Sequence, residues 1–194
     1  MLRILHTSDW HLGQHFIGKS REACHRAFFQ WLTHTIERER IDVLLVAGDI
    51  FDTATPPSYA RELYHQLLAN LHHYQVQIII LGGNHDSVAV LSESASLLRV
   101  LNTQVIPGLA AERSTHLVPL RNKAGQPCAV LVALPFLRAR DLSSYQGLLS
   151  QAGQTEQDKN RDLQQQIAAL YQQLYADALQ HAQQLSERPL PILG

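Results

Sequence analysis

Three short apolar runs, each ending in a polar tip, constrain this chain more than any other feature. Arg3-Ile4-Leu5-His6-Thr7 leads into Asp9-Trp10-His11. Val43-Leu44-Leu45-Val46-Ala47 leads into Gly48-Asp49-Ile50-Phe51-Asp52, and Gln77-Ile78-Ile79-Ile80-Leu81 into Gly83-Asn84-His85-Asp86. The runs are short and mostly rich in β-branched residues, so they read as strands. Stretches of helical periodicity separate them. A β-α-β-α-β order implies parallel strands. Parallel strands deliver their tips to one edge of the sheet, the edge at which open α/β sheets bind ligands. Carboxylates, an amide oxygen and imidazoles therefore converge there.

Such a donor set suits hard or borderline divalent ions such as Mn2+, Mg2+ or Fe2+. No thiolate occurs in these turns. Two carboxylates held together repel, and a bound metal removes that cost. Two metals about 3.5–4 Å apart can clamp a phosphate and ionise a water.

The motifs Asp9-x-His11, Gly48-Asp49-x-x-Asp52 and Gly83-Asn84-His85-Asp86 resemble the first three motifs of the calcineurin-like metallophosphoesterases. The flanking text narrows the resemblance to the SbcD-like nucleases. It includes His6-Thr7-Ser8 and Leu12-Gly13 around the first motif, Pro56-Pro57-Ser58-Tyr59-Ala60-Arg61, and Pro135-Phe136-Leu137-Arg138. The resemblance runs through nearly all of the chain. It implies an α/β metallophosphoesterase fold, a mixed sheet with flanking helices. It also implies two divalent ions, Mn2+ foremost with Mg2+ as the alternative. Asp9 and His11 would hold the first metal, Asp49 would bridge both and Asn84 would bind the second. His85 would act as acid or transition-state stabiliser, with Asp52 orienting it and raising its pKa. The implied activity is that of a DNA repair and recombination nuclease, a 3′–5′ exonuclease on duplex ends and an endonuclease on hairpins. Its implied partners are DNA, an SbcC-like ATPase and a second copy of the chain, in the cytoplasm near the nucleoid.

Composition sets bounds on this reading. The chain has 194 residues, enough for one domain with a proper core, and no apolar run long enough for a membrane helix. Cys24 and Cys128 lie far apart and outside the motifs, which fits reduced thiols. The net charge of −1 at pH 7 excludes a protein that grips DNA through a strongly basic surface. Metals, a few Arg residues or a partner must then handle the phosphates.

Taken in order, residues 2–7 read as a buried strand, with His6 a core histidine. Ser20 is placed to cap a helix whose apolar positions are Ala23, Ala27, Phe28, Trp31, Leu32 and Thr35. His25 and His34 read as surface or satisfied side chains. Residues 41–47 form the second strand. Pro56-Pro57 opens a second helix with Tyr59, Leu63, Leu67 and Leu71 as its stripe, and His65, His72 and His73 on its surface. Residues 76–81 form the third strand. Leu91, Ala95, Leu98 and Leu101 suggest one more helix, which either covers the sheet or pairs with a second subunit. A fourth strand is expected at 103–106 and a hairpin over 115–120 and 128–134. Arg138 and Arg140 are candidates for phosphate contact, with a plain surface role favoured. Residues 142–160 read as a loop, and 161–186 as an amphipathic helix stopped by Arg188-Pro189-Leu190-Pro191.

One departure from the family stands out. Its members carry two later motifs, Gly-His and Gly-His-x-His, and neither follows residue 86 here. The expectation is that residues 1–194 form the N-terminal part of a nuclease domain, weak or inactive alone. Two alternatives remain open: a small-molecule phosphodiesterase or phosphatase, and a non-catalytic module that dimerises or binds a partner.

Overall fold

The computed structural model describes residues 1–139, 141–142 and 156–194, with side chains of the last helix from residue 160 onward. In chain order the elements are β1 (Ile4–Thr7), β2 (His15–Phe16), β3 (Lys19–Ser20), α1 (Glu22–Arg38), β4 (Val43–Ala47), α2 (Ser58–His72) and β5 (Gln77–Leu81). Then follow α3 (Val88–Glu93), α4 (Ala95–Val100), β6 (Thr103–Ile106), β7 (Leu117–Arg121), β8 (Pro127–Val132), α5 (Glu156–Leu185) and β9 (Ile192–Leu193).

The expected parallel strands form one sheet in the order β1-β4-β5-β6. Every pairing in it is parallel, with Ile4 opposite Val43 and Val43 opposite Gln77. A second sheet, β7-β8-β9, carries the mixed pairing: β7–β8 antiparallel and β8–β9 parallel.

Strand alternation distributes the core. Leu44, Val46, Ile78 and Ile80 point into one cluster with Leu32 and Ile36 of α1 and Leu67, Leu68 and Leu71 of α2. Val43 and Ile79 face the other way, onto Val118 and Leu120 of β7 and Ala129 and Leu131 of β8. Val130 and Val132 then point outward from the second sheet onto Leu170, Leu174 and Ala178 of α5. The result is four layers, helix–sheet–sheet–helix. Strands β4 and β5 are covered on both faces, which is why they read as unbroken apolar runs. Each fully buried Leu or Ile contributes about 1.5–3 kcal/mol.

Ser20 stands one residue ahead of the cap position, Arg21, yet it serves the first turn of α1: its Oγ accepts the Glu22 N–H at 3.2 Å. The helix ends without glycine. Arg40 takes φ 51°, and the Ile41 N–H returns to the Ile36 carbonyl at 3.0 Å, the closing bond of a Schellman turn.

Several expectations are corrected. Strand β1 is an edge strand with Ile4 and His6 exposed, so His6 is no core histidine. Pairing on one side only leaves its other edge open. In α1 the buried residues are His25, Phe29, Leu32, Thr35 and Ile36, and Trp31 is 56% exposed. Closely spaced aromatics define two overlapping stripes on this helix. Trp10, arriving from the first loop, selects Phe29 at a centroid distance of 5.0 Å. The helix after the third motif is two short ones, broken at Ser94. Most of the loop expected at 142–160 lies outside the described residues, and α5 starts at Glu156, ahead of 161. The terminal Ile192–Leu193 joins β8 as a strand. Both cysteines are free thiols. Among the described residues no helix is long and apolar enough to cross a membrane.

Candidate metal centre

The loops after β1 and β4 run side by side at the carboxyl edge. Asp9 N–H donates to the Gly48 carbonyl at 3.2 Å, His11 N–H to Asp49 at 2.9 Å and Leu12 N–H to Ile50 at 2.9 Å. This ladder presses the two loops together and forces an unusual backbone. Asp9, His11 and Asp49 all have positive φ, at 55°, 45° and 50°, and Gly48 has 86°. Non-glycine residues rarely adopt that region, though Asp and His tolerate it better than most. Three such residues side by side are a local strain held by the surrounding ladder, the kind found where function requires it.

The strain brings donors together. One ligand atom each from Asp9, His11 and Asp49 lies within 4.8 Å of the others. His11 Nε2 is 3.8 Å from Asp9 Oδ1 and 4.0 Å from Asp49 Oδ2. A divalent ion about 2.1 Å from each donor keeps neighbouring donors about 3–4 Å apart. Both distances from His11 Nε2 fall in that range, so the set suits a divalent metal. With Nε2 given to a metal, the ring proton would sit on Nδ1. That atom is buried without a hydrogen bond, and Asp52 Oδ1 lies 3.3 Å away. A small rotation completes a carboxylate–imidazole pair, the arrangement that fixes a metal-binding histidine's tautomer.

The third loop arrives against Asp49. His85 N–H donates to Asp49 Oδ1 at 3.0 Å. A Cβ on Gly83 would stand 2.2 Å from the same oxygen, so only glycine admits the carboxylate. Asn84 and Asp49 line one cavity of about 280 Å³ with Gly48, Gly83, Pro135 and Phe136. His85 is exposed and sits edge-to-face with His11 at 5.0 Å. Its Nδ1 donates to the main-chain carbonyl of Asp52 at 2.9 Å. That bond, with the charges of Asp49, Asp52 and Asp86, raises its pKa above 6.5. The placement of Asp52 thus differs from the sequence expectation. Its backbone, not its carboxylate, orients His85, and its carboxylate turns to His11.

Sequence reasoning gave no role to Asp86 or Phe136, and both shape the site. Asp86 is 3% exposed and accepts N–H groups from Ile50 at 3.1 Å, Phe51 at 2.9 Å and Gly83 at 2.8 Å. Phe136 N–H donates to the Gly82 carbonyl at 2.8 Å. Arg138, a candidate for phosphate contact, directs a guanidinium N–H to the Asp86 carbonyl at 3.2 Å. Arg140 lies outside the described residues. His25 is buried at 6% exposure beside the Trp10 backbone, its Nδ1 unpartnered. Burial pushes its pKa down. The bond from Gly83 to Asp86, three residues on, is a local turn a sequence can hint at. The others span 35 or more residues and leave no trace in the text. His116 is fully buried. It bridges Ala110 N–H and the Ala133 carbonyl, at 3.0 Å each, and takes no part in the donor set.

The family model for calcineurin-like phosphoesterases matches residues 2–188. A protein of Escherichia coli strain K12, named as the SbcD component of nuclease SbcCD, is 46% identical over 193 residues, all of this chain and 45% of that protein. Its namesake in Rhodobacter capsulatus is 43% identical over 148 residues, 73% of this chain and 36% of that protein. In Bacillus subtilis the figures are 38% over 97 residues, 50% and 25%. The chain thus spans less than half the length of these relatives. With the three motif loops meeting at one edge of the parallel sheet, the family match over residues 2–188 places this chain in the calcineurin-like phosphoesterase family.

Proposed function

We propose that the chain is the N-terminal part of the nuclease domain of a Mn2+-dependent DNA nuclease subunit. The observation that carries this reading is the convergence of Asp9, His11 and Asp49 within 4.8 Å, at the edge where Asn84 and His85 also emerge. The names of the relatives point the same way. Asp9, His11, Asp49 and Asn84 would hold the divalent ions. Bound there, the ions would supply Lewis-acid chemistry, polarising a phosphoryl oxygen and lowering the pKa of water. His85, pinned through Nδ1 by the Asp52 carbonyl, offers Nε2 to protonate the departing sugar oxygen. Asp52 keeps His11 in its ligating tautomer.

The substrates are duplex ends, cut 3′ to 5′, and hairpins. A net charge of −1 leaves much of the grip on the duplex to an SbcC-like ATPase partner. The exposed Val88, Leu97 and Val100 of α3 and α4 suit a homodimer. The location is cytoplasmic.

The test is cleavage of linear duplex DNA in Mn2+, beside a small aryl phosphodiester. It uses this chain and the same chain carrying the continuation its relatives have. Asp49→Ala and His11→Ala serve as blanks. The shorter chain should be weak and the longer one active on duplex, with both substitutions abolishing cleavage. Hydrolysis of the aryl diester with the duplex left whole would select the small-molecule alternative. Duplex cleavage surviving Asp49→Ala would refute the site.

A further inference from the structure

The metal ligands of this chain sit on loops far apart in sequence. Asp49 and Asp52 ride on the loop after β4, Asn84 and His85 on the loop after β5. Between them lies one buried carboxylate. Asp86 Oδ2 accepts from Ile50 at 3.1 Å and from Gly83 at 2.8 Å, while Oδ1 accepts from Phe51 at 2.9 Å. Oδ2 therefore joins an amide of each loop at a single atom. Ile50 follows Asp49 directly and Gly83 precedes Asn84 directly, so the tie grips each loop beside its ligand.

We propose that Asp86 is a positioning residue that fixes the spacing of Asp49 and Asn84 before any metal is present. Charge-assisted hydrogen bonds to backbone N–H are about twice as strong as neutral ones. Three of them on a carboxylate that is 3% exposed make a stiff joint. The neighbours hold the carboxylate in place. Arg138 donates to the Asp86 carbonyl and so fixes the residue's own backbone from the segment after β8. Tyr64 packs nearby with a buried, unpartnered hydroxyl, kept protonated by burial and by the charge of Asp86. Asp86 is too deep to touch substrate, so it acts only through the ligands it spaces. That consequence for metal rests on the metal-centre reading above; the joint itself does not.

The two oxygens make the test specific. In Asp86→Asn the remaining oxygen can take the Oδ2 position and keep Ile50 and Gly83, so only Phe51 loses its acceptor. In Asp86→Ala all three amides lose theirs. Amide hydrogen exchange followed by NMR on the metal-free chain should show faster exchange at Phe51 alone in the first variant. It should show faster exchange at Ile50, Phe51 and Gly83 together in the second. Mn2+ titration should find affinity nearly kept in Asp86→Asn. In Asp86→Ala it should drop about 10–100-fold, the usual loss when an outer partner of a metal ligand is removed. Leu174→Ala, a fully buried residue of α5 in the separate cluster on the second sheet, supplies comparable destabilisation away from the loops and should change neither readout. Unchanged exchange at the three amides in Asp86→Ala would overturn the proposal. So would equal loss of Mn2+ affinity in Leu174→Ala. A wild-type chain that takes up no Mn2+ would sink the metal-centre reading, and the exchange pattern would still decide the joint.

Discussion

Replacing Gly83 by Ala tests whether the third loop must touch the Asp49 carboxylate. The backbone at Gly83 does not need glycine, since its φ is not positive, so any effect comes from space. The added Cβ would stand 2.2 Å from Asp49 N, 2.2 Å from Asp49 Oδ1 and 2.8 Å from its Cγ. Ordinary contact begins at 3.4 Å, so the loop or the carboxylate must retreat by about 1 Å, an overpacking that costs about 1–3 kcal/mol. At about 2–4 °C per kcal/mol for a chain of this size, Tm should fall by roughly 2–12 °C. A ligand displaced on that scale should weaken Mn2+ binding about 10–100-fold. Gly125→Ala is the control. Its Cβ meets nothing within 4 Å, but its φ is +76°. It should cost about 1–2 kcal/mol of backbone strain and leave Mn2+ affinity unchanged. Scanning calorimetry without metal and Mn2+ titration by calorimetry give both numbers. A Gly83→Ala chain that binds Mn2+ like the wild type would refute the claimed contact.

Three further outcomes follow from the same contacts. His116 should make stability pH-dependent: burial holds its folded pKa below the ordinary 6.5, so the unfolded chain binds the proton first. Its contribution is then complete above pH 6.5 and is lost as the pH falls from there towards the folded value; His116→Gln should flatten the Tm profile between about pH 7.5 and 5, and an identical slope would refute this. Phe29→Ala should cost about 3–5 kcal/mol because Phe29 is 6% exposed, and Trp31→Ala should cost clearly less because Trp31 is 56% exposed; urea titration showing the reverse order would invalidate the assigned face of α1. Arg138→Ala should cost about 1–2 kcal/mol through the lost bond to the Asp86 carbonyl and weaken Mn2+ binding several-fold, and calorimetry showing no change in either would make Arg138 a surface residue.

The parallel strands, the edge at which their tips meet and the chemical identity of the donors can all be read from the amino acids alone. Those facts are local: a largely apolar run of five residues buried on both faces announces itself by its own composition, as in β4 and β5. The fourth strand at Thr103–Ile106 and the hairpin around Asn122 are legible for the same reason. Long-range packing settles what remains. The positive φ of Asp9, His11 and Asp49 follows from two loops hydrogen-bonded across about forty residues, which no window of sequence contains. The buried face of α1 is set by Trp10. The Asp52 carboxylate turns to His11 rather than His85 because the His85 ring is already held by the Asp52 carbonyl. Arg138 goes to the Asp86 carbonyl, and Asp86 takes up three amides from two loops. A side chain's identity is written in the chain, but its partner is chosen by whatever the fold brings within about 3 Å of it.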